Sequence, residues 1–310
     1  MLKLGIPYMG SKRKLSRAIV DYILKYNPDC KYIYDLFGGG GAVSFEALQR
    51  KRFEKVFYNE IDTSIVNLIK KIRDDGVTDE FYHWVSREDF HKHKEGSDWF
   101  SGLVKTCWSF GNNHEKGYMF SKENEALKKP LHYAIVEKDA KYLKDFEKIT
   151  GLQVPIELLN FETINERRLN AMAWIKKNKG RIDLQQLQQL QQLEQLQRLE
   201  QLQRLEQLQI SNLSYDKVEI ETPISETIVY CDPPYEMTAK YQNIISHNDF
   251  YDWCNNTPYK VYVSSYDTPL ILVKSWRHRG ILSATNNSKV VEENLYCNKQ
   301  ENKVKEYKLF

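Results

Sequence analysis

The turn around residue 232 has the composition of a site that could hold an amine attached to an aromatic ring. Residues 227–231 predict a buried strand, which is followed at once by Asp232, Pro233, Pro234 and Tyr235. The two prolines stiffen this turn and set the direction of its carbonyl groups. The Asp232 carboxylate and the Pro233 carbonyl could then accept hydrogen bonds from one NH₂ group, while Tyr235 offers a ring face for stacking. We interpret these four residues as the candidate catalytic residues.

A second motif is a run of four glycines between a predicted strand, residues 31–36, and a predicted helix, residues 44–51. Glycine permits tight turns and lets a ligand approach the backbone closely. The spacing is not the dinucleotide pattern G-x-G-x-x-G, and it is not a Walker loop because no Lys-Ser/Thr follows. The four glycines, Gly38 to Gly41, are therefore a candidate loop for a ligand that approaches the backbone closely.

An acidic segment follows the next predicted strand, residues 55–59. In nucleoside-binding α/β proteins an acidic side chain at this place, about 20 residues after the glycine turn, accepts hydrogen bonds from ribose hydroxyls. The segment Asn59-Glu60-Ile61-Asp62 therefore offers Glu60 and Asp62 as candidate acidic ligands for a ribose. Together with the glycine run, they predict a nucleoside-bearing cofactor.

These motifs lie on an alternation of strands and helices that is typical of a doubly wound α/β sheet. The spacing of apolar residues predicts helices at 16–25, 44–51 and 63–73. Short apolar runs predict strands at 31–36, 55–59, 227–231 and 260–264, and a hairpin within 282–310. The α/β pattern is split, so we expect one catalytic domain formed by residues 1–80 and 211–310.

The intervening residues 81–182 are predicted to form a mostly helical inserted module. Their aromatic and basic side chains include Trp84, His91, Lys92, His93, Lys94, Trp99, Trp108, Phe110, Tyr118, Arg167, Arg168, Lys176, Lys177, Lys179 and Arg181. This mixture favours a surface for nucleic acid, although a run of charges is equally often only a solvated face. We interpret the module as the target-recognition region.

Residues 183–210 form a low-complexity repeat, in which leucine recurs at every third position from Leu184 to Leu208. The Leu, Gln, Glu and Arg residues favour a helix. In an α-helix, however, a spacing of three rotates each leucine by about 60° from the last, and a coiled coil needs a spacing of about 3.5. We prefer the interpretation of a variable spacer, and self-association through residues 184–209 stays open.

Composition excludes several classes of protein. Hydrophobic side chains make up 41% of the 310 residues, which is enough for a core and argues against global disorder. The net charge of +3 fits a nucleic-acid partner without requiring one. The five cysteines are widely spaced and form no C-x-x-C pair, so neither disulfides nor a metal site is predicted. With no secretory signal and no apolar run of membrane-spanning length, we expect a cytoplasmic protein without a membrane partner.

With these motifs the chain resembles the Dam-like, or D12-class, adenine-N6 DNA methyltransferases of bacteria and phages. Its Asp-Pro-Pro-Tyr turn is similar to the signature of enzymes that methylate adenine N6, and its glycine run is similar to the family's cofactor loop. Further similar segments are Pro7-Tyr8-Met9-Gly10-Ser11-Lys12, Trp108-Ser109-Phe110-Gly111-Asn112-Asn113, Ser264-Ser265-Tyr266-Asp267-Thr268 and Ala284-Thr285-Asn286-Asn287-Ser288-Lys289. The first of these resembles the N-terminal cofactor motif, and the second resembles part of the DNA-recognition insert.

The resemblance implies a Rossmann-like mixed sheet of the class I S-adenosylmethionine methyltransferase type. It implies S-adenosylmethionine as the cofactor, held by Tyr8, Met9, Gly10, Lys12, Asp35, Phe37, Gly38, Gly39, Gly40, Glu60, Ile61 and Asp232. It also implies double-stranded DNA as the partner, with the target adenine flipped out of the duplex and stacked on Tyr235. No obligate protein partner is implied. A partner restriction enzyme and the recognition sequence, for which GATC is the family's commonest, stay open.

Two other interpretations stay open at this point. The same turn could serve an amino-methyltransferase that acts on adenine in RNA or on glutamine in a protein, because it suits any planar amine or amide. A protein of another class, a DNA-binding protein that has kept this fold without catalysis, could carry the same motifs.

Overall fold

The computed structural model describes residues 5–8, 10–112, 117–178, 205–234, 245–281 and 288–301. The chain divides into two compact units. The first, called the sheet unit here, consists of Met1–Gly5, Ser11–Val66 and Gln203–Phe310. The second, the helical unit, consists of Ile6–Gly10 and Asn67–Leu202. The assignment of functions to residues 1–80 with 211–310, 81–182 and 183–210 stays a prediction.

The sheet unit contains a seven-stranded sheet in the order β3-β2-β1-β4-β5-β7-β6. The strands are β1 Tyr32–Asp35, β2 Lys55–Asn59, β3 Leu208–Ser211, β4 Thr227–Cys231, β5 Lys260–Ser265, β6 Ile271–Ile281 and β7 Ser288–Cys297. The first five are mutually parallel, while β7 runs antiparallel to both β5 and β6. The expected α/β class with a mixed sheet is thereby confirmed.

Alternation along the strands explains which side chains enter the core. Tyr34 of β1, Val229 of β4 and Val261 of β5 belong to one buried cluster on one face of the sheet, together with Phe250 and Cys254. The latter two residues lie on helix α9, His247–Asn256. The neighbouring strand residues therefore point to the opposite face, because successive side chains alternate. Near-continuous burial on both faces is typical of parallel strands in α/β proteins.

The other helices that the structure describes in the sheet unit begin and end close to the predicted positions. They are α1 Ser16–Tyr26, α2 Ala42–Gln49 and α3 Thr63–Asp75, the last of which continues into the helical unit. Helix α1 buries Ile19, Val20 and Ile23 at spacings of one, three and four, as one helix face requires. Helix α2 starts two residues earlier than predicted, directly after Gly41, whose φ of +73° places it in the left-handed region.

Two strands differ from the sequence-based expectation. Strand β3 lies partly inside the Leu/Gln repeat, where Leu205 and Leu208 are buried and Leu208 pairs with Val56 of β2. The C-terminal hairpin is present but starts at Ile271 rather than after residue 282, because β6 is an eleven-residue strand. The sequence of β6 alternates poorly between apolar and polar residues, so its hydrophobic periodicity does not predict a strand. Residues 179–204, which hold most of the repeat, lie outside the described residues.

The helical unit justifies the expectation of a mostly helical insert. Its helices in the described ranges are α4 Arg87–His93, α5 Trp99–Cys107, α6 Lys122–Glu137, α7 Ala140–Thr150 and α8 Ile164–Lys177. Each begins after a side chain that accepts a hydrogen bond from a backbone N–H of the first turn, as N-caps do; these are Ser86, Asp98, Ser121, Asp139 and Thr163.

The aromatic residues of the helical unit mainly build its core. The rings of Trp84, Trp108 and His132 lie against one another, with centroids 5.1 and 5.2 Å from that of Trp84. Arg167 is also buried, and its guanidinium donates to the backbone oxygens of Ile135 and Glu162, both at 2.6 Å. Trp84, Trp108 and Arg167 are therefore buried in the core of the helical unit and do not form an exposed surface. The assignment of the insert to target recognition stays a prediction.

Within the described residues, no helix has the length and apolar character needed to cross a membrane. All five cysteines are buried thiols without a disulfide.

Candidate active site at the carboxyl edge of the sheet

The motifs singled out in the sequence meet at one edge of the sheet. The strands β2, β1 and β4 are adjacent and parallel, so their carboxyl ends lie side by side. Asp35 is paired in register with Tyr58 on one side and with Tyr230 on the other. The backbone N–H of Leu36 donates to the oxygen of Tyr230 at 3.0 Å. The glycine loop after β1 and the Asp-Pro-Pro turn after β4 therefore leave the sheet as neighbours.

Hydrogen bonds and ring packing attach the glycine loop to β2. The Gly38 N–H donates to the Asn59 carbonyl at 2.8 Å, and the Tyr58 hydroxyl donates to the Gly39 carbonyl at 2.7 Å. A Cβ added at Gly38 would lie only 2.2 Å from a ring carbon of Tyr58. Glycine is required at this position because the loop packs directly on that ring.

Glu60 fixes the same loop from the end of β2. Its two carboxylate oxygens accept the backbone N–H groups of Gly39 and Asp62, at 2.8 and 2.9 Å. Burial raises the pKa of Glu60, and these two hydrogen bonds act against that rise. Each carboxylate oxygen can accept a further hydrogen bond. The residue thus shapes the loop and keeps acceptor capacity for ribose hydroxyls, the role that the sequence predicts for it.

Two asparagines complete the edge, and the sequence analysis assigns neither of them a role. The Asn59 amide donates to the carbonyls of Leu36 and Leu213, at 3.0 and 2.9 Å. The Asn212 amide donates to the Glu60 carbonyl at 2.7 Å. Together they tie the residues after β3 to the ends of β1 and β2. The available signal was weak: a polar side chain placed directly at a strand end.

Asp35 is a buried carboxyl at the start of the glycine loop. Its Oδ2 accepts a hydrogen bond from the Ser44 hydroxyl at 2.7 Å, while its buried Oδ1 has no partner among the described residues. Burial is the main cause that raises the pKa of Asp35 to about 7, the Ser44 bond opposes it, and the charges of Asp232 and Glu60 add to it. A buried acceptor without a donor fits a ligand that carries N–H or O–H groups.

The raised pKa predicts a pH-dependent effect of Asp35→Asn on stability. An unfolded Asp titrates near 3.9, so between that pH and about 7 the folded protein binds the extra proton. This contribution to stability is present at low pH and is lost as the pH rises. Relative to wild type, the variant should gain up to about 4 kcal/mol between about pH 4 and pH 8. Urea unfolding of both proteins measures this, and parallel pH profiles would contradict it.

Asp232 follows β4 and forms an ion pair with Lys12. The Lys12 ammonium lies 2.9 Å from its Oδ1 and 3.6 Å from a carboxylate oxygen of Glu293. Burial raises the pKa of Asp232, while the charge of Lys12 lowers it. Burial lowers the pKa of Lys12, but the two carboxylates outweigh this, so the pKa of Lys12 is raised overall. Lys12 was predicted to contact the cofactor, and the structure places its ammonium on the candidate catalytic carboxylate.

The remaining predicted site residues differ in their burial and in the compact unit to which they belong. Phe37 packs on Tyr215, with ring centroids 5.4 Å apart, and Ile61 is 57% exposed at the edge. Pro233 is buried and Pro234 half-buried in the turn after Asp232. Tyr8 is half-buried and Gly10 is exposed, and both belong to the helical unit. Met9 and Tyr235 lie outside the described residues, as do Asn113 and residues 282–287.

An open cavity of about 360 Å³ lies close to this edge but on the other face of the sheet. Its lining includes Tyr34, Phe57 and Val218. Tyr34 precedes Asp35, so alternation directs the two side chains to opposite faces. Because the lining contains none of Asp35, Glu60 and Asp232, we do not assign chemistry to this cavity.

The helical unit offers some exposed groups besides its buried aromatic core. Phe110 is 58% exposed, in a turn where its N–H donates to Gly117 and where Ser109 pairs with Tyr118. His91 and Lys92 are exposed at the end of α4, and Lys176 and Lys177 at the end of α8. These side chains, rather than the tryptophans, remain as candidates for contact with a nucleic acid.

Strand order and edge chemistry together define the class of protein. A sheet with the glycine loop after its central strand, and acidic residues after the two strands beside it, is a Rossmann-like mixed sheet of the class I methyltransferase type. The family model described as D12 class N6 adenine-specific DNA methyltransferase matches residues 8–275, and the chain belongs to this family. It is a methyltransferase that acts on adenine N6 in DNA.

Other comparisons add little. No curated protein matches the chain. A solved structure of a Haemophilus influenzae protein that is described as a methylase is similar, with 14% identity and a TM-score of 0.30. That match covers 95% of this chain and 92% of the other. A likeness of this size carries no argument, so fold and class rest on the strand order and on the family.

Proposed function

We propose that the protein transfers the methyl group of S-adenosylmethionine to N6 of an adenine that is flipped out of duplex DNA at a specific sequence. One observation supports this most. The glycine loop and the Asp-Pro-Pro turn leave adjacent parallel strands, joined by the hydrogen bond from Leu36 to Tyr230. Cofactor and amine would then share one edge of the sheet.

The residues of this edge fit the proposed cofactor. Glu60 would accept the ribose hydroxyls, and the unpaired Oδ1 of Asp35 would accept a donor of the amino-acid part. The close packing of Gly38 on Tyr58 brings bare backbone to the surface of the loop. Exposed Ile61 would pack on the adenine ring of the cofactor. When bound, S-adenosylmethionine supplies an electrophilic methyl group on a sulfonium centre.

Asp232 and Pro233 would hold the substrate amine. The N6 lone pair of adenine is delocalised into the ring, which makes the amine a poor nucleophile. Hydrogen bonds from the two N6 hydrogens to the Asp232 carboxylate and the Pro233 carbonyl would favour the reactive, pyramidal amine. Ion pairing with Lys12 supports the charged form of Asp232, which can act only as an acceptor. Tyr235 would stack on the flipped ring, as its place directly after the turn suggests.

Duplex DNA would be held by the helical unit. A base within a duplex cannot reach a pocket at a sheet edge, so the target adenine must flip out of the duplex. This costs about a few kcal/mol of unstacking and unpairing free energy. Lys and Arg side chains would bind phosphates and fix the register, while a few groups would read base edges in the major groove. The exposed residues at the ends of α4 and α8 support this role.

Salt dependence tests the phosphate contacts. Replacing both Lys176 and Lys177 by Ala should weaken binding to any duplex and reduce the slope of log K against log salt by up to about 2, since each phosphate contact contributes about 0.9. Fluorescence anisotropy with a labelled duplex measures this. The matched control removes Lys138 and Lys148, which form ion pairs with Glu162 and Asp145 at 3.0 and 2.9 Å. An equal change of slope in both double variants would contradict the assignment.

A label-transfer assay tests the proposed function itself. Tritiated S-adenosylmethionine is offered with duplex DNA, single-stranded DNA, RNA or a glutamine-containing protein, and the labelled product is identified after hydrolysis. We expect N6-methyladenine from duplex DNA as the main product. Preferred labelling of RNA or protein would replace the substrate assignment, and an absence of label everywhere would leave a binding protein without catalysis.

A further inference from the structure

Glu293 lies beside the catalytic edge, although no motif contains it. Strand β7 runs antiparallel to β5, with Asn294 in register with Ser265, the last residue of β5. Glu293 therefore lies on β7 opposite the first residue after the carboxyl end of β5. Strand β5 is the neighbour of β4 in the sheet. Its side chain is only 15% exposed, which is unusual for a glutamate.

Lys12 connects Glu293 with Asp232. Its ammonium is 2.9 Å from Asp232 and 3.6 Å from Glu293, and its side chain is 6% exposed. Two carboxylates thus share one ammonium in a place where water screens little. When all three are ionised, these side chains together carry a formal charge of −1.

The sign of this charge matters for the reaction proposed above. When a methyl group moves to N6, positive charge develops on that nitrogen. An ion pair of Lys12 with Asp232 alone would be neutral, and the lysine would cancel much of the field of the carboxylate at N6. A second carboxylate beside the lysine offsets part of the lysine's positive charge and so strengthens the negative field at N6.

On the basis of the proposed function, we propose that Glu293 is a positioning residue, which holds Lys12 and keeps the Asp232 end of the site negative during methyl transfer. It acts through Lys12 and contacts neither substrate. Among the described residues, the titratable groups that interact electrostatically with Asp232 include Lys12, Asp35, Tyr230, Cys231, Tyr266 and Glu293. Among these carboxylates, Glu293 is the one that shares the ammonium with Asp232.

The test compares Glu293→Gln with Glu292→Gln. Glu292 is the neighbouring residue on β7, 46% exposed and paired with Arg277 at 3.1 Å. In Glu293→Gln, kcat should fall about tenfold, or about 1.4 kcal/mol, while KM for both substrates stays within about twofold, as expected for a contribution made mainly in the transition state. Glu292→Gln should match wild type. Equal kcat in the two variants would overturn the proposal.

A pH profile separates this role from a structural one. The charge of Glu293 raises the pKa of Asp232. Its removal should therefore move the acidic limb of kcat to lower pH, although the plateau falls. Glu293→Asp should recover part of the plateau and the wild-type limb. A lower plateau with an unmoved limb and an earlier thermal transition would indicate a folding defect and contradict the proposal. An inactive wild type, by contrast, would refute the proposed function and not this inference alone.

Discussion

Replacing Asp232 by Asn is expected to lower kcat for methyl transfer about 1000-fold. The substitution keeps the shape of the side chain but removes its charge, and one amide hydrogen-bond donor then faces the substrate amine. The negative field at N6 is lost at the point where positive charge develops. Single-turnover transfer of a labelled methyl group to duplex DNA measures the effect on the chemical step.

Loss of stability is the main competing explanation for that result. The substitution leaves the buried Lys12 opposite a neutral amide, and breaking a buried ion pair typically costs about 3–5 kcal/mol. The triple variant Lys12→Gln, Asp232→Asn and Glu293→Gln removes all three charges of the ion-pair group together and should recover stability but not activity. Asp21→Asn, at an exposed carboxylate that pairs with Arg50, is the control and should be fully active. Substantial activity in a folded Asp232→Asn protein would contradict the catalytic role.

The second large effect is expected from Gly38→Ala, which should raise the Kd for S-adenosylmethionine about 100-fold, or about 2.7 kcal/mol. The new methyl group would lie 2.2 Å from the ring of Tyr58, so the loop must move away from β2. Tyr58 cannot yield easily, because its hydroxyl donates to Gly39 and its ring is completely buried. The backbone that is expected to face the cofactor is therefore displaced. Isothermal titration calorimetry measures the loss of affinity.

Gly76→Ala is the matched control for this prediction. Gly76 has a φ of +75°, and a Cβ there would meet nothing within 4 Å. The control therefore carries the strain of the left-handed region, about 1–2 kcal/mol, without a steric clash. It should lower the thermal midpoint and leave the Kd unchanged. If both variants lose affinity equally, general destabilisation is the cause, and the packing of Gly38 on Tyr58 does not shape the cofactor site.

The central part of the sheet could be predicted from sequence because its signals are local. Strands β2 and β4 begin and end at the predicted residues, since each is a short β-rich run that is followed directly by an acidic residue. The edge strands could not be predicted in the same way. Strand β3 lies where the Leu/Gln repeat suggested helix propensity, and pairing with β2 overrides that local preference.

The candidate site was predictable where a motif follows a strand, as at Gly38, Glu60 and Asp232. It was not predictable where a contact joins distant parts of the chain. Glu293 meets Lys12 only because β7 is inserted between β5 and β6, which no local pattern encodes. The aromatic residues of the insert could not be assigned to a surface for a related reason. Composition does not distinguish a buried ring such as Trp108 from an exposed one such as Phe110.

The most direct test of the proposed active site is the position at which S-adenosylhomocysteine, the demethylated product of the cofactor, binds. A crystal structure with S-adenosylhomocysteine should place its ribose on Glu60 and its sulfur at the edge between the glycine loop and Asp232. Binding at the cavity lined by Tyr34 and Phe57, or at any place remote from Asp232, would contradict the claim that the two turns form one active site.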